Sequence, residues 1–207
     1  MDPKASRERT DYDIRSARSL ESKKDFVGTE KLYTKELNSF LEKKSNTFLC
    51  ACDLYMYLAK SLIKQEKYTE ALSVLNKAYA MSKLVQKEWV HMEICYTLAN
   101  CYYSLKSHDS TMRWARKSLK YQEKLQRNNF YFRMSCLEII SRTFYRCGML
   151  VDAREHSIKT LEVIGQFRDP DLKKRCEENE KKFFEQVEQL MKSGDCDKAM
   201  QSEELGF

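Results

Sequence analysis

The sequence predicts an all-α chain, arranged as a right-handed superhelix of about four helical hairpins with a C-terminal capping helix. Three observations lead there. Only 5 Gly and 2 Pro occur in 207 residues, too few for a β-sandwich, a Gly-rich nucleotide fold or a collagen-like stretch. Small residues recur with a spacing of 40 to 42. Between them Lys, Glu, Leu, Ala and Met are plentiful, residues that lose little freedom in a helix.

The elements follow in order. Residues 1–9 are polar and read as a flexible N-terminus. Repeat copies then start near residues 10, 52, 92 and 134, and the array runs over 10–167. Position 8 of a copy is Ala17, Ala59, Ala99 and Ser141, and position 20 is Thr29, Ala71, Thr111 and Ala153. Two helices, over positions 1–14 and roughly 17–33, pack antiparallel when small residues sit where their axes come closest. Large apolar residues fill the space beside that crossing: Leu20, Leu62, Tyr102 and Phe144 at position 11, and Leu37, Tyr79, Leu119 and Leu161 at position 28. One hairpin buries too little surface alone, so the copies must stack. Asp169-Pro170-Asp171 reads as a stop followed by a new helix start, with Pro at the first helical position. A capping helix over 168–192 carries Phe183, Phe184, Val187, Leu190 and Met191 as its apolar stripe, and 193–207 form a tail.

Tyr55, Leu58-Ala59, Leu62, Tyr68, Ala71 and Ala78 of the second copy resemble the signature of the tetratricopeptide repeat. The ordinary period is 34 residues. This chain adds 6 to 8 per copy and so is similar to kinesin light chains, G-protein-signalling modulators and axonemal dynein-arm docking subunits. The resemblance implies that the first helices line a concave groove. It carries partner binding onto Arg18, Met56, Lys60, Lys64, Tyr96, Asn100, Tyr103, Arg142, Tyr145 and Arg146. Asn100, in the context Leu98-Ala99-Asn100, resembles the asparagine that holds a ligand's backbone in this family. Chaperone-binding members grip a terminal carboxylate with Lys and Arg. Here those places hold Ser135 and Ile139, or Glu93 and Thr97, so a co-chaperone role is not expected.

Charge is uneven. The formal net charge is +6, with −3 over residues 171–207 and +9 over the rest. The basic patch is Arg113, Arg116, Lys117, Lys120, Lys124 and Arg127, in a stretch (111–133) whose one acid is Glu123. Such a face meets an acidic partner or simply faces solvent. No apolar leader is visible at residues 1–15, and Phe48–Ala59 is too short for a membrane span and holds Asp53. The eight cysteines read as reduced thiols. His91, His108 and His156 are dispersed, and His91 with Cys95 reads as packed core, so no catalytic residues, metal or cofactor are expected.

The expected function is a non-catalytic scaffold whose groove takes an extended or helical segment of a protein partner. The expected setting is a cytoplasmic or ciliary assembly, with microtubule- or dynein-associated proteins as partners. A cargo or signalling adaptor is the first alternative. A nucleic-acid-associated regulator using residues 111–133 is the second.

Overall fold

The computed structural model describes residues 20, 22–42, 48–85, 87–125 and 129–194. Among these residues are eight helices and no strand: α1 (Phe26–Glu42), α2 (Phe48–Lys64), α3 (Tyr68–Ser82), α4 (Glu88–Ser104), α5 (His108–Glu123), α6 (Phe130–Arg146), α7 (Leu150–Ile164) and α8 (Pro170–Ser193). The expected first helix of the first copy lies largely outside the described residues. The chain forms two compact units, residues 1–97 and 98–207.

Every hairpin turns by the same device. Position 15 of each copy is left-handed: Lys24 (φ 58°), Glu66 (φ 61°), Lys106 (φ 56°) and Gly148 (φ 71°). The following amide donates back to the position-11 carbonyl, from Asp25, Lys67, Ser107 and Met149 to Leu20, Leu62, Tyr102 and Phe144, at 2.9–3.0 Å. The amides of Glu66, Lys106 and Gly148 also reach the position-12 carbonyls at 3.0 Å. These paired bonds satisfy carbonyls that the ending helix leaves open. The second helix begins at once. At position 20, Thr29, Ala71, Thr111 and Ala153 donate their amides to the position-16 carbonyls at 2.9–3.1 Å.

A left-handed residue with a Cβ costs about 1–2 kcal/mol, which glycine avoids at a smaller entropic cost. Lys106→Gly should therefore stabilise the 98–207 unit by up to about 1 kcal/mol. Gly148→Ala should cost about as much. Urea midpoints measure both, and a lowered midpoint for Lys106→Gly contradicts the account.

The small residues sit where the spacing predicts. Thr29, Ala59, Ala71, Ala99, Thr111, Ser141 and Ala153 are all 0% exposed. Position 8 touches position 20 directly in the last hairpin, where the Ser141 hydroxyl donates to the Ala153 carbonyl at 2.6 Å. The hydroxyls of Thr29 and Thr111 are satisfied within their own helices, by the carbonyls of Asp25 (2.7 Å) and Ser107 (2.9 Å). In the first unit α1 and α3 pack on α2, and Tyr33 stacks on Tyr57 with ring centroids 5.4 Å apart. In the second, one core cluster joins Ala99, Tyr103, Ala115, Ile139, Ile140, Phe144, Tyr145, Leu150 and Ala153 to Phe183 and Val187 of α8.

α8 starts as its sequence predicts. Pro170 stands in the first turn, and the Asp169 carboxylate accepts from the amides of Asp171 and Leu172 at 3.0 Å. Gly194, left-handed at φ 71°, closes it. The helix packs on α7, and the side chains of its outer residues, Lys174, Arg175, Glu178, Lys181, Lys182, Glu185 and Gln189, are exposed.

Candidate protein-binding surface

In the first unit α2 sorts its residues by helical spacing. Asp53, Tyr57, Lys60 and Lys64 follow one another at i, i+4, i+7 and i+11, so they share one face. All are at least partly exposed, while the next face inward holds buried Ala51, Cys52, Leu54, Tyr55, Leu58, Ala59 and Leu62. The Lys60 ammonium donates to Glu93 Oε1 of α4 at 2.6 Å and lies 5.6 Å from the centroid of the Tyr57 ring. Glu93 and Tyr96 are themselves only partly covered. Asp53 is crowded: burial, reinforced by the Glu93 charge and opposed by Lys60, pushes its carboxyl up to about 6. The result is a strip of carboxylates, ammoniums and phenols over an apolar seam. It is suited to hydrogen bonding and ion pairing with a polypeptide.

Met56 does not join this strip. It is 2% exposed and packs inward, because its place in the helix lies on the flank of the exposed arc, toward the core. The residue partly exposed on the strip's face is Tyr57, which the i, i+4, i+7 spacing from Asp53 could have indicated. Lys64 is exposed at the end of α2. Arg18 lies outside the described residues.

The second unit corrects more of the expected surface. Tyr103, Arg142 and Tyr145 are 4%, 9% and 1% exposed. Tyr103 lies under Arg146, whose guanidinium sits 3.8 Å from the ring centroid and donates to the Tyr103 carbonyl at 3.1 Å. Arg146 and Asn100 remain partly exposed. The other two residues are covered by α8. Arg142 donates to the Glu180 carboxylate at 3.1 Å and lies 4.6 Å from the Phe183 ring centroid. The Tyr145 ring meets Phe183 edge-on at 5.5 Å, and its hydroxyl accepts from Gln186 at 2.9 Å. On the flank, Arg154 pairs with Glu188.

Glu180 was not indicated by the sequence reading. It is 0% exposed, and its second oxygen accepts the Ser157 hydroxyl at 2.6 Å. Glu138, four residues before Arg142, lies 3.8 Å from the guanidinium. Burial pushes Glu138 up to about 7 against the pull of Arg142, with the Glu180 charge adding to the push. Burial likewise raises Glu180, while Arg142 and the Ser157 hydroxyl pull it down. A visible signal existed. Residues 180, 183, 187 and 190 form one helical stripe, and Glu180 is the charged residue in it.

On α5, Arg113, Arg116 and Lys120 are exposed and Lys117 is partly so, and Lys124, at the C-terminal cap of the helix, is exposed. Arg127 lies outside the described residues. Of the core thiols, burial holds Cys52 and Cys101 up to about 11 and Cys136 up to about 12, so they stay protonated and pack as small apolar groups. The His91 ring shares a 3.0 Å hydrogen bond with the Ser82 hydroxyl. Among the described residues no helix is long and apolar enough to cross a membrane.

No family model matches the sequence. Tetratricopeptide repeat protein 23 of Rattus norvegicus is 25% identical over 114 residues, which is 51% of this chain and 26% of that protein. The chain thus matches about a quarter of the length of that relative. A putative kinesin light chain of Podosopora anserina, built of nearly identical TPR-like repeats, superposes with a TM-score of 0.73 at 13% identity, over 93% of this chain and 92% of that one. A second crystal structure of such a Podosopora anserina chain gives 0.71 at 14% identity, over 93% of each. At that identity the likeness speaks to the fold: stacked helical hairpins of tetratricopeptide type.

Proposed function

We propose that this chain, a tetratricopeptide-repeat protein like kinesin light chain in fold, is a non-catalytic scaffold that binds a segment of a protein partner. The carrying observation is the strip on α2 and α4: Asp53, Tyr57, Lys60, Lys64, Glu93 and Tyr96 on rigid helices over a packed seam. Helices fix the positions of these groups before a partner arrives, which lowers the ordering cost of binding. Lys60 and Glu93 already satisfy each other, so a partner gains by adding donors and acceptors around that pair rather than by breaking it. The α8 helix serves as the cap of the array, with a charged outer face in contact with solvent.

A photo-cross-linking side chain at Tyr57 tests the reading on the full chain. A discrete protein partner should cross-link there, and Lys60→Glu with Lys64→Glu should abolish the product. The same probe at exposed Lys77 of α3 should give none. Indistinguishable products from the two positions refute the strip. For the setting we favour a cytoskeletal or ciliary assembly, on the long repeat and the excess of basic residues over 1–170. Co-sedimentation with microtubules, before and after removal of the acidic tubulin tails, decides that. Equal, negligible pelleting in both cases ends the cytoskeletal reading.

A further inference from the structure

The basic residues of α5 form one stripe. At 100° per residue, Arg113, Arg116, Lys117, Lys120 and Lys124 fall within an arc of roughly 100°, along about 16 Å of helix. The buried residues Thr111, Ala115, Ser118 and Gln122 lie on the opposite side, so packing directs the stripe outward. Three of its cations are held by aromatic faces. Arg113 and Lys117 sit 5.6 and 5.1 Å from the Trp114 ring centroid, and Lys124 sits 5.3 Å from that of Tyr121. Arg116 and Lys120 engage no carboxylate among the described residues. The acids of α5 itself lie at the margins of the stripe: Asp109 at the N-terminal end, and Glu123 on one flank.

We infer that this stripe is a docking surface for an acidic helical or extended segment of another protein. Five cations on one helix face, one to four residues apart, match carboxylates that recur every three or four residues on a helix or every other residue on a strand. Long side chains already leaning on Trp114 and Tyr121 lose less freedom on binding than free ones do. Those same contacts argue against nucleic acid. Single strands gain much of their affinity by stacking bases on aromatic faces, and here the cations cover those faces. The stripe lies in the second unit and is independent of the strip on α2, so either can fail without the other.

The test uses the full chain and a labelled peptide with Glu at every third and fourth place, followed by fluorescence anisotropy at low and physiological salt. Binding should weaken with salt. Arg116→Glu with Lys120→Glu should weaken it at least about tenfold, as expected for reversing two close charges. Lys181→Glu with Lys182→Glu, an equal charge change on exposed residues of α8, should leave it near the wild-type value. In a Trp89→Phe background, Trp114 emission should respond as the peptide's carboxylates come up to Arg113 and Lys117 beside the ring. Equal losses from the two double variants would reduce the effect to net charge and overturn the inference. Tighter binding of a single-stranded RNA or of phosphatidylserine vesicles, lost with the same two α5 residues, would reassign the stripe and overturn it too.

Discussion

Arg142→Met is expected to destabilise the 98–207 unit by about 3–5 kcal/mol at pH 7, the range seen when one partner of a buried ion pair is removed. The side chain is replaced by one of similar length, so little packing is lost. What remains is a fully buried Glu180 carboxylate and a neighbouring Glu138 with no cation between them. Both carboxyls are raised by burial, Glu138 to about 7. The folded protein therefore holds protons that the unfolded chain releases, and stability falls as pH rises from the usual carboxylate range through about 7. Without Arg142 the push is stronger, so the deficit should be largest at pH 7 and shrink toward pH 5 as the carboxyls take up protons. Urea unfolding at the two pH values measures this. Adding Glu180→Leu to Arg142→Met should recover much of the loss, because the uncompensated charge goes with it. A deficit below about 1 kcal/mol, or one indifferent to pH, shows that the cluster does not hold α8 in place.

Ala153→Leu is expected to cost about 3 kcal/mol, the upper end for overpacking. Ala153 is 0% exposed, and its carbonyl accepts the Ser141 hydroxyl, so a side chain of α6 hydrogen-bonds directly to the backbone of α7 at this crossing. Extra carbons here push two rigid helices apart and open the hairpin that supports α8. Ala153→Ser should cost less than about 1 kcal/mol, since a hydroxyl fits the equivalent places at Thr29 and Thr111. Thermal unfolding followed by circular dichroism ranks the two. Equal melting temperatures would show that the crossing has room to spare.

Particular residues show what could be read in advance. Ala59, Ala71, Ala99 and Ala153 are legible in the repeat spacing, because hard-sphere contact at a helix crossing admits only small side chains. Lys24, Glu66 and Lys106 gave no sign of their left-handed backbones. Of the four turns only Gly148 carries the residue that usually marks such a place. Among the binding candidates, Lys60, Lys64, Tyr96, Asn100 and Arg146 keep some exposure. Met56, Tyr103, Arg142 and Tyr145 do not.

The helices, their antiparallel pairing and the small residues at each crossing are written in the order of the amino acids. Those depend on local propensity and on size at a fixed spacing, which a single chain displays openly. Which polar residues still meet water is set by packing between elements far apart in the chain. Burial of a side chain depends on what packs over it, and the element that covers Arg142 and Tyr145 lies about forty residues away, at Glu180, Phe183 and Gln186. A repeat pattern describes each copy alike. The last one differs because a helix with an acid in its apolar stripe folds back onto it.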